Sequence, residues 1–385
     1  MFHTSLIELD QNAYKQNLDY LRDKFGPDTV FSSVIKGNAY GHGIEHMVPM
    51  AEANGVRHFS VFSADEALRA RQVIRENSEL MVMGMIDDHE IEWAIEQDVS
   101  FYVFEHERLQ AAAKAAAKMG RPARIHIELE TGMYRTGFDK DGLSQALDFI
   151  ARNQACFIVE GICTHFAGAE SVSNYLRVKN QIKAYNKMMK LVERSSIPYK
   201  KCHTACSAAA IRYPKTTMDM VRIGIAQYGL WPNRETFMHH VVEKNGEGLA
   251  ENPLKRVISW KSKVMSTKKV PPNRFIGYGT SYLTNEETHI ATVPVGYTHG
   301  FNRSLSNLGR VLINGKRVPV IGLVNMNMMM VEITTVDGVK KGSDVTIIGN
   351  DGGIDMTVGS FSELTNRLNY ETLARLPHDI PRVIV

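Results

Sequence analysis

Apolar residues in the first part of the chain gather in short runs. Those at 30–36, 58–62, 80–83, 100–104, 124–129, 157–165, 201–206 and 220–225 are β-leaning and mostly apolar. Stretches with helical spacing, 63–77, 87–97, 105–119 and 174–195, lie between several of them. A strand buried on both faces and followed by a helix is the mark of a parallel sheet. Such units repeated within about 200 residues predict a closed (β/α)8 barrel of the TIM type rather than an open doubly wound sheet.

Beyond residue 235 the helical periodicity fades. Strand-like runs at 258–265, 289–295, 310–313, 318–323 and 344–348 are broken by Pro271-Pro272, Asn314-Gly315, Asp337-Gly338 and Asp351-Gly352-Gly353. Turn chemistry at that spacing predicts a mainly-β domain, with a helix returning near 360–369. The expected division is a barrel over residues 1–235 and a β domain over residues 236–385. The alanine-rich stretch 111–117 reads as a strong helix.

Composition leaves this picture unchanged. Hydrophobic residues make up 44% and charged residues 23% of the 385, an ordinary globular balance. A net charge of +3 gives little support to a phosphate-tracking surface, so no nucleic-acid partner is expected. Lys261, Lys263, Lys268, Lys269 and Arg274 alternate with apolar residues ahead of Pro271-Pro272 or beside it, which reads as a solvated strand face. The cysteines at 156, 163, 202 and 206 form no C-x-x-C pair and no disulfide framework. Cys163 and Cys202 read as small buried hydrophobes. The N-terminus has no apolar run of signal-peptide length, and no segment reaches the roughly 18 apolar residues of a membrane span. A soluble, cytoplasmic protein without a membrane partner is expected.

Several positions combine reactive side chains with strand ends. Lys36 closes an apolar strand and runs into Gly37-Asn-Ala-Tyr40-Gly-His-Gly43. At the mouth of a barrel its amine would be partly desolvated, which lowers its pKa and favours Schiff-base chemistry; the alternative is a lysine snorkelling out at a strand end. Ser207 follows the seventh candidate strand, and Arg222, Gly224 and Ile225 lie on the eighth. Loops there often build a phosphate site, and barrel closure would set the eighth strand beside the first; Gly224 also reads as a packing glycine. Glu128 opens a polar loop whose Arg135 suits bidentate binding of a carboxylate. His165 ends the sixth strand, where a lone histidine is more often structural than catalytic. The histidines show no metal-ligand spacing, and His239-His240 falls in an expected linker. No dinucleotide or Walker motif is present.

Taken together, Lys36 to Gly43, Thr131-Gly-Met-x-Arg135-x-Gly137, Thr164-His165-Phe166, Ser207-Ala-Ala, Val221-Arg222-x-Gly224-Ile225-x-x-Tyr-Gly229, Gly277-Tyr-Gly279, Val295-Gly-Tyr297, Val324-x-Met326 and Asn369-Tyr370-Glu371 resemble the alanine racemase family, in order, over nearly the whole chain. The resemblance implies pyridoxal 5'-phosphate on Lys36 through a Schiff base. Its phosphate would be cradled by Tyr40, Ser207, Gly224, Ile225 and Tyr370. Arg222 would face the pyridine nitrogen, with His165 behind it, and Arg135 would bridge the cofactor's phenolic oxygen and the substrate carboxylate. Tyr297 and Met326 would reach in from the partner subunit of a homodimer. The implied reaction interconverts L- and D-alanine, with Lys36 and Tyr297 transferring the α-proton on opposite faces. A cationic His165–Arg222 neighbourhood would help the phenol act as a base. Arginine at the ring nitrogen would leave it unprotonated and limit side reactions.

The chain also departs from the family pattern. Glu128 stands where a carbamylated lysine is common, so a permanent carboxylate would take the carbamate's place. Tyr297 is followed by Thr298-His299-Gly-Phe301 rather than Ala-Asp-Gly-Tyr; Asn327 replaces an aspartate, Cys206 an asparagine and Leu323 an arginine. These changes are expected near the substrate entrance, which leaves serine or a larger or basic amino acid as alternative substrates. A basic-amino-acid decarboxylase, a non-catalytic cofactor-binding protein and an inactive relative are the rival functions. Arg222 and the Tyr297 region weigh against the first, the long β domain against the second.

Overall fold

A computed structural model describes residues 3–243, 251–365 and 368–385. Its contacts divide the chain into two compact units. One comprises Asn12–Lys36 with Met47–Lys255; the other comprises the N-terminal residues to Gln11, Gly37–His46 and Arg256–Val385. Strand β1 (Ser5–Leu9) belongs to the second.

The first unit contains an eight-stranded parallel sheet. Its strands are β2 (Val30–Val34), β3 (His58–Ser63), β4 (Glu79–Met85), β5 (Ser100–Val103), β6 (Ala123–Glu128), β7 (Phe157–Cys163), β8 (Tyr199–His203) and β9 (Met220–Ile223). From β2 to β8 each pairs with the next, and β9 pairs with β2, with Ser32 opposite Arg222. The ring closes where the chain leaving β8 meets β9: Arg222 N–H donates to the Ala205 carbonyl at 2.9 Å, and Cys206 bridges Arg222. All eight apolar runs are strands of this barrel. Strands β5 and β9 are buried at every position, which is why they read as unbroken apolar runs rather than alternating ones.

Local chemistry sets the helix ends. Asp87 caps Asp88–Glu96 and forms a capping box with Glu90. Asp139 caps Lys140–Arg152 by accepting the Gly142 N–H, and Gly120, left-handed, ends His106–Met119. The expected linker at His239-His240 is instead a helix, Arg234–Glu243, on which His240 is buried and stacks on Trp231 at 5.1 Å.

In the second unit the strands are β10 (Ile258–Lys263), β11 (Ser266–Val270), β12 (Thr288–Val293), β13 (Arg310–Ile313), β14 (Lys316–Ile321), β15 (Met329–Glu332), β16 (Asp344–Asp351), β17 (Ile354–Met356) and β18 (Arg382–Ile384). Their order is β11-β12-β15-β14-β13-β16-β10-β1-β18, with β17 on β16. Strand β1 lies antiparallel to β10 and parallel to β18. The lysines of β11 face solvent on a strand paired to β12 alone, a charged edge that resists further pairing. The helix expected near 360–369 is found as Val358–Thr365, and a second helix, Asn369–Ala374, starts at its far end; residues 366 and 367 lie outside the described residues.

Candidate functional site

Parallel strands deliver their carboxyl ends to one rim of the barrel, and the reactive residues follow that rule. Lys36 lies just past β2, Glu128 ends β6, His203 ends β8 and Arg222 is on β9. Lys36 is reachable from solvent, yet the surrounding protein desolvates its amine, which with the charges of Arg135 and Arg222 lowers its pKa below the ordinary lysine value. More of it is therefore the neutral, nucleophilic amine near neutral pH.

Arg222 is the most constrained cation at this rim. Nη1 donates to Nδ1 of His203 at 2.5 Å and to the His203 carbonyl at 2.8 Å; Nη2 donates to the carbonyls of Thr164 at 2.8 Å and Thr204 at 3.2 Å. Those bonds occupy both Nη groups and leave Nε–H as the unused donor. His203 in turn meets Nδ1 of His126 through Nε2 at 2.9 Å, and His126 Nε2 meets Ser100 Oγ at 3.2 Å. Burial, and for His203 also the Arg222 charge, hold both imidazoles far below the usual histidine range, so both are neutral. His203, His126 and Ser100 did not stand out in the sequence. The available signal was their place on inward-facing strand positions, where a polar residue demands a partner.

His165 is brought to the same rim, its carbonyl held by Gln181 at 3.1 Å. Burial and the charges of Arg222, Arg135 and Lys36 push its pKa down to about 3. The expected cationic His–Arg neighbourhood is thus corrected: the imidazole is neutral and the arginine alone carries charge.

Glu128 is buried, and desolvation raises its pKa against the pull of the Thr136 hydrogen bond and of Arg135 and Arg222. Among the described residues no ion pair within 4.0 Å joins Glu128 to Arg135, so the two act on each other as charges across a gap. The loop between them is shaped by Glu130, whose carboxylate accepts the N–H groups of Gly132, Met133 (2.8 Å) and Tyr134 (2.7 Å).

Ser207 is buried, and its Oγ accepts the Gly224 N–H at 3.0 Å, which leaves the hydroxyl proton available to a ligand. Ile225 follows, fully buried. Unused donors at Arg222 Nε and Ser207 Oγ, with a desolvated amine at Lys36, fit pyridoxal phosphate: an unprotonated ring nitrogen could take the first, a phosphate the second and the aldehyde carbon the third.

The remaining candidates form two groups in the second unit. From Gly37 to Tyr40 the backbone makes a left-handed turn, with φ of 61°, 54°, 52° and 52°, closed by Gly41 N–H to the Gly37 carbonyl at 3.0 Å. Such a turn costs roughly 1–2 kcal/mol at each non-glycine residue, so it needs outside support. Arg382 supplies some, donating to the Gly41 carbonyl at 3.0 Å and 3.3 Å. The Tyr40 ring lies 6.0 Å from that of Tyr370.

In the other group, Tyr297 and Met326 are tied backbone to backbone. Tyr297 N–H donates to the Asn325 carbonyl at 3.0 Å and Thr298 N–H to the Met326 carbonyl at 3.1 Å. A side chain at Gly296 would meet the Asn325 carbonyl at 2.2 Å. Tyr297 is 39% and Met326 54% exposed on this unit. Two of the departing residues cooperate here, Asn327 Nδ2 donating to Thr298 Oγ at 3.1 Å. Phe301 differs from expectation: it is 1% exposed, packed on Trp260 and Phe361 rather than facing an entrance.

Comparison with known proteins gives one answer along the whole length. Residues 9–232 match the family description "Alanine racemase, N-terminal domain" and residues 257–384 "Alanine racemase, C-terminal domain". The alanine racemase of Leptospira interrogans is 33% identical, covering 100% of this chain and 96% of its own. That of Methanococcus maripaludis is 32% identical, covering 99% and 98%. Among solved structures, alanine racemase from Bacillus anthracis with bound L-Ala-P superposes with a TM-score of 0.90 at 30% identity, covering 100% of this chain and 96% of that one. The enzyme from Bartonella henselae with covalently bound pyridoxal phosphate gives 0.85 at 25% identity, covering all of both chains.

Proposed function

This chain belongs to the alanine racemase family of pyridoxal-phosphate-dependent isomerases, and from that premise we propose that it interconverts L- and D-alanine with Lys36 and Tyr297 as its two proton-transferring groups. The observation that carries the reading is the unused Nε–H of a charged, immobilised Arg222 on the same rim as a desolvated Lys36. Bound pyridoxal phosphate supplies the electron sink that acidifies the substrate's α-proton.

Lys36 would hold the cofactor, and its amine, made less basic by desolvation, would take or return the proton on one face. The Tyr297 phenol of the partner subunit serves the other. Arg222 would offer its Nε–H to the ring nitrogen; a donor there would leave that nitrogen unprotonated and the ring a weaker sink, which would favour reprotonation at Cα over side reactions. Arg135 orients the substrate carboxylate and is steadied by the charge of Glu128. Ser207, Gly224, Ile225, Tyr40 and Tyr370 anchor the phosphate, and Met326 lines the substrate space from the partner, so the active unit is a homodimer with shared sites.

The test is turnover of single L-amino acids in D2O by the holoenzyme, with chiral chromatography and mass spectrometry at Cα. D-alanine carrying one deuterium, and its loss in Tyr297→Phe and Lys36→Ala, is the expected result. Faster racemisation of another amino acid would overturn the substrate, and full activity in Tyr297→Phe would overturn the second base.

A further inference from the structure

Residues of the β unit line a cavity of about 420 Å³, within the range of small-molecule pockets. Trp260, Phe301 and Phe361 give it aromatic walls, with the Phe301 ring 6.4 Å from that of Trp260 and 5.7 Å, edge-on, from that of Phe361. Arg303 and Arg375 also line it, and no aspartate or glutamate does. Arg375 is paired with Glu371 at 3.0 Å through one nitrogen, at an exposed position. Arg303 has no ion-pair partner among the described residues. Trp260 is 2% exposed, with its indole nitrogen sealed in the packing, so it offers the cavity ring surface alone.

Apolar walls and two guanidinium groups define what the cavity would take. The occupant has an apolar body, which the rings cover, and a carboxylate, which arginine binds with paired N–H groups. We propose that this cavity binds a small apolar monocarboxylate, anchored by Arg303 and Arg375 and contacting Trp260. Tyr297 forms part of the wall, at the head of the Tyr297–His299 turn that ends on Gly300. Gly300 abuts the Arg375 carbonyl, 3.3 Å from where a side chain would begin. An occupant therefore holds the Tyr297 turn from inside its own subunit. Bound ligand changes kcat for alanine and leaves KM unchanged, a consequence that rests on the proposed role of Tyr297; the binding itself does not.

The experiment uses holoenzyme labelled with 5-fluorotryptophan. The chain has 3 tryptophans, and Trp260→Phe assigns the relevant ¹⁹F signal. Benzoate should shift that signal saturably and benzylamine should not. Arg303→Gln and Arg375→Gln should each weaken benzoate about tenfold, the worth of one charge-assisted hydrogen bond. Arg303 is exposed, so its variant tests the site without threatening the fold. A silent Trp260 with purely competitive inhibition would place benzoate at the amino-acid site alone and overturn the proposal, as would a shift undiminished in both variants. A shift of Trp260 in a protein that does not racemise alanine would uphold the cavity and refute the proposed function.

Discussion

Arg222 donates to Nδ1 of His203, and that one direction orders the protons behind it. Nδ1 accepts, so the proton of the neutral His203 sits on Nε2 and is donated to His126; the proton of His126 then lies on its own Nε2, toward Ser100, whose hydroxyl donates to the Leu80 carbonyl at 3.2 Å. The relay ends on a group that can only accept. Every imidazole in it is held neutral, so the guanidinium keeps its charge and its Nε–H stays directed outward.

Gly161 on β7 makes the histidine pair possible. A Cβ there would lie 2.6 Å from His126 Nδ1 and 2.9 Å from His203 Nε2, so Gly161→Ala must force the rings apart. The expected cost is about 1–3 kcal/mol of stability. With Arg222 unseated, kcat for alanine should fall about tenfold, equivalent to one weakened hydrogen bond to a charged group. Urea denaturation of the apoprotein and steady-state kinetics read the two effects. Wild-type values for both would mean that the pair does not position Arg222.

Acid sensitivity should trace to buried neutral histidines. Burial pushes His58 down to about 4, against the opposing charge of Glu79. The unfolded chain therefore binds the proton first, and stability is lost as pH falls from about 6.5 toward 4. For His58 alone the loss is about 3 kcal/mol at the acid end. His58→Asn should flatten the dependence of apoprotein stability on pH between 6.5 and 4 by about one proton. An unchanged slope would mean that His58 is solvated in the folded state.

Glu128→Gln keeps size and removes charge. If Glu128 steadies Arg135, the variant should raise KM for alanine about tenfold, the range of a charge-assisted contact, with a smaller effect on kcat. Because the carboxylate is encoded, wild-type activity should not change when bicarbonate and carbon dioxide are stripped from the buffer. A KM that stays at the wild-type value in the variant would assign Glu128 to packing alone.

What the sequence made legible follows from burial. Most barrel strands are buried along nearly their whole length, so their apolar runs stood out without any knowledge of their neighbours; β8, with Lys200 and Lys201, is the weakest of them. Strands β1 and β18 did not stand out, because Ser5 finds Ser262 and Ile7 finds Arg382 only through pairings far along the chain. Single reactive residues at strand ends, such as Lys36 and Arg222, were visible as exceptions to an apolar pattern. His203 was not, since its role depends on Arg222, His126 and the gap left by Gly161, which lie on different strands. Phe301 misled for the opposite reason: its place beside the Tyr297 turn suggested an entrance, whereas the chain folds it inward onto Trp260.

Tyr297 and Met326 stand exposed together on the β unit, while Lys36, Arg135 and Arg222 gather on the barrel. If each site combines one subunit's barrel with its partner's tyrosine, two dead variants can repair each other. A Lys36→Ala chain keeps a sound Tyr297 and a Tyr297→Phe chain keeps a sound Lys36, so a hybrid dimer holds one intact site and one doubly damaged site. Random reassortment makes half the dimers hybrid, and racemisation should recover to about a quarter of wild type. Separate tags on the two chains allow the hybrid to be purified, where the expected value rises to about half. Hybrids that stay inactive would place the working tyrosine in the same subunit as Lys36, and with it would fall the requirement that the enzyme be a dimer.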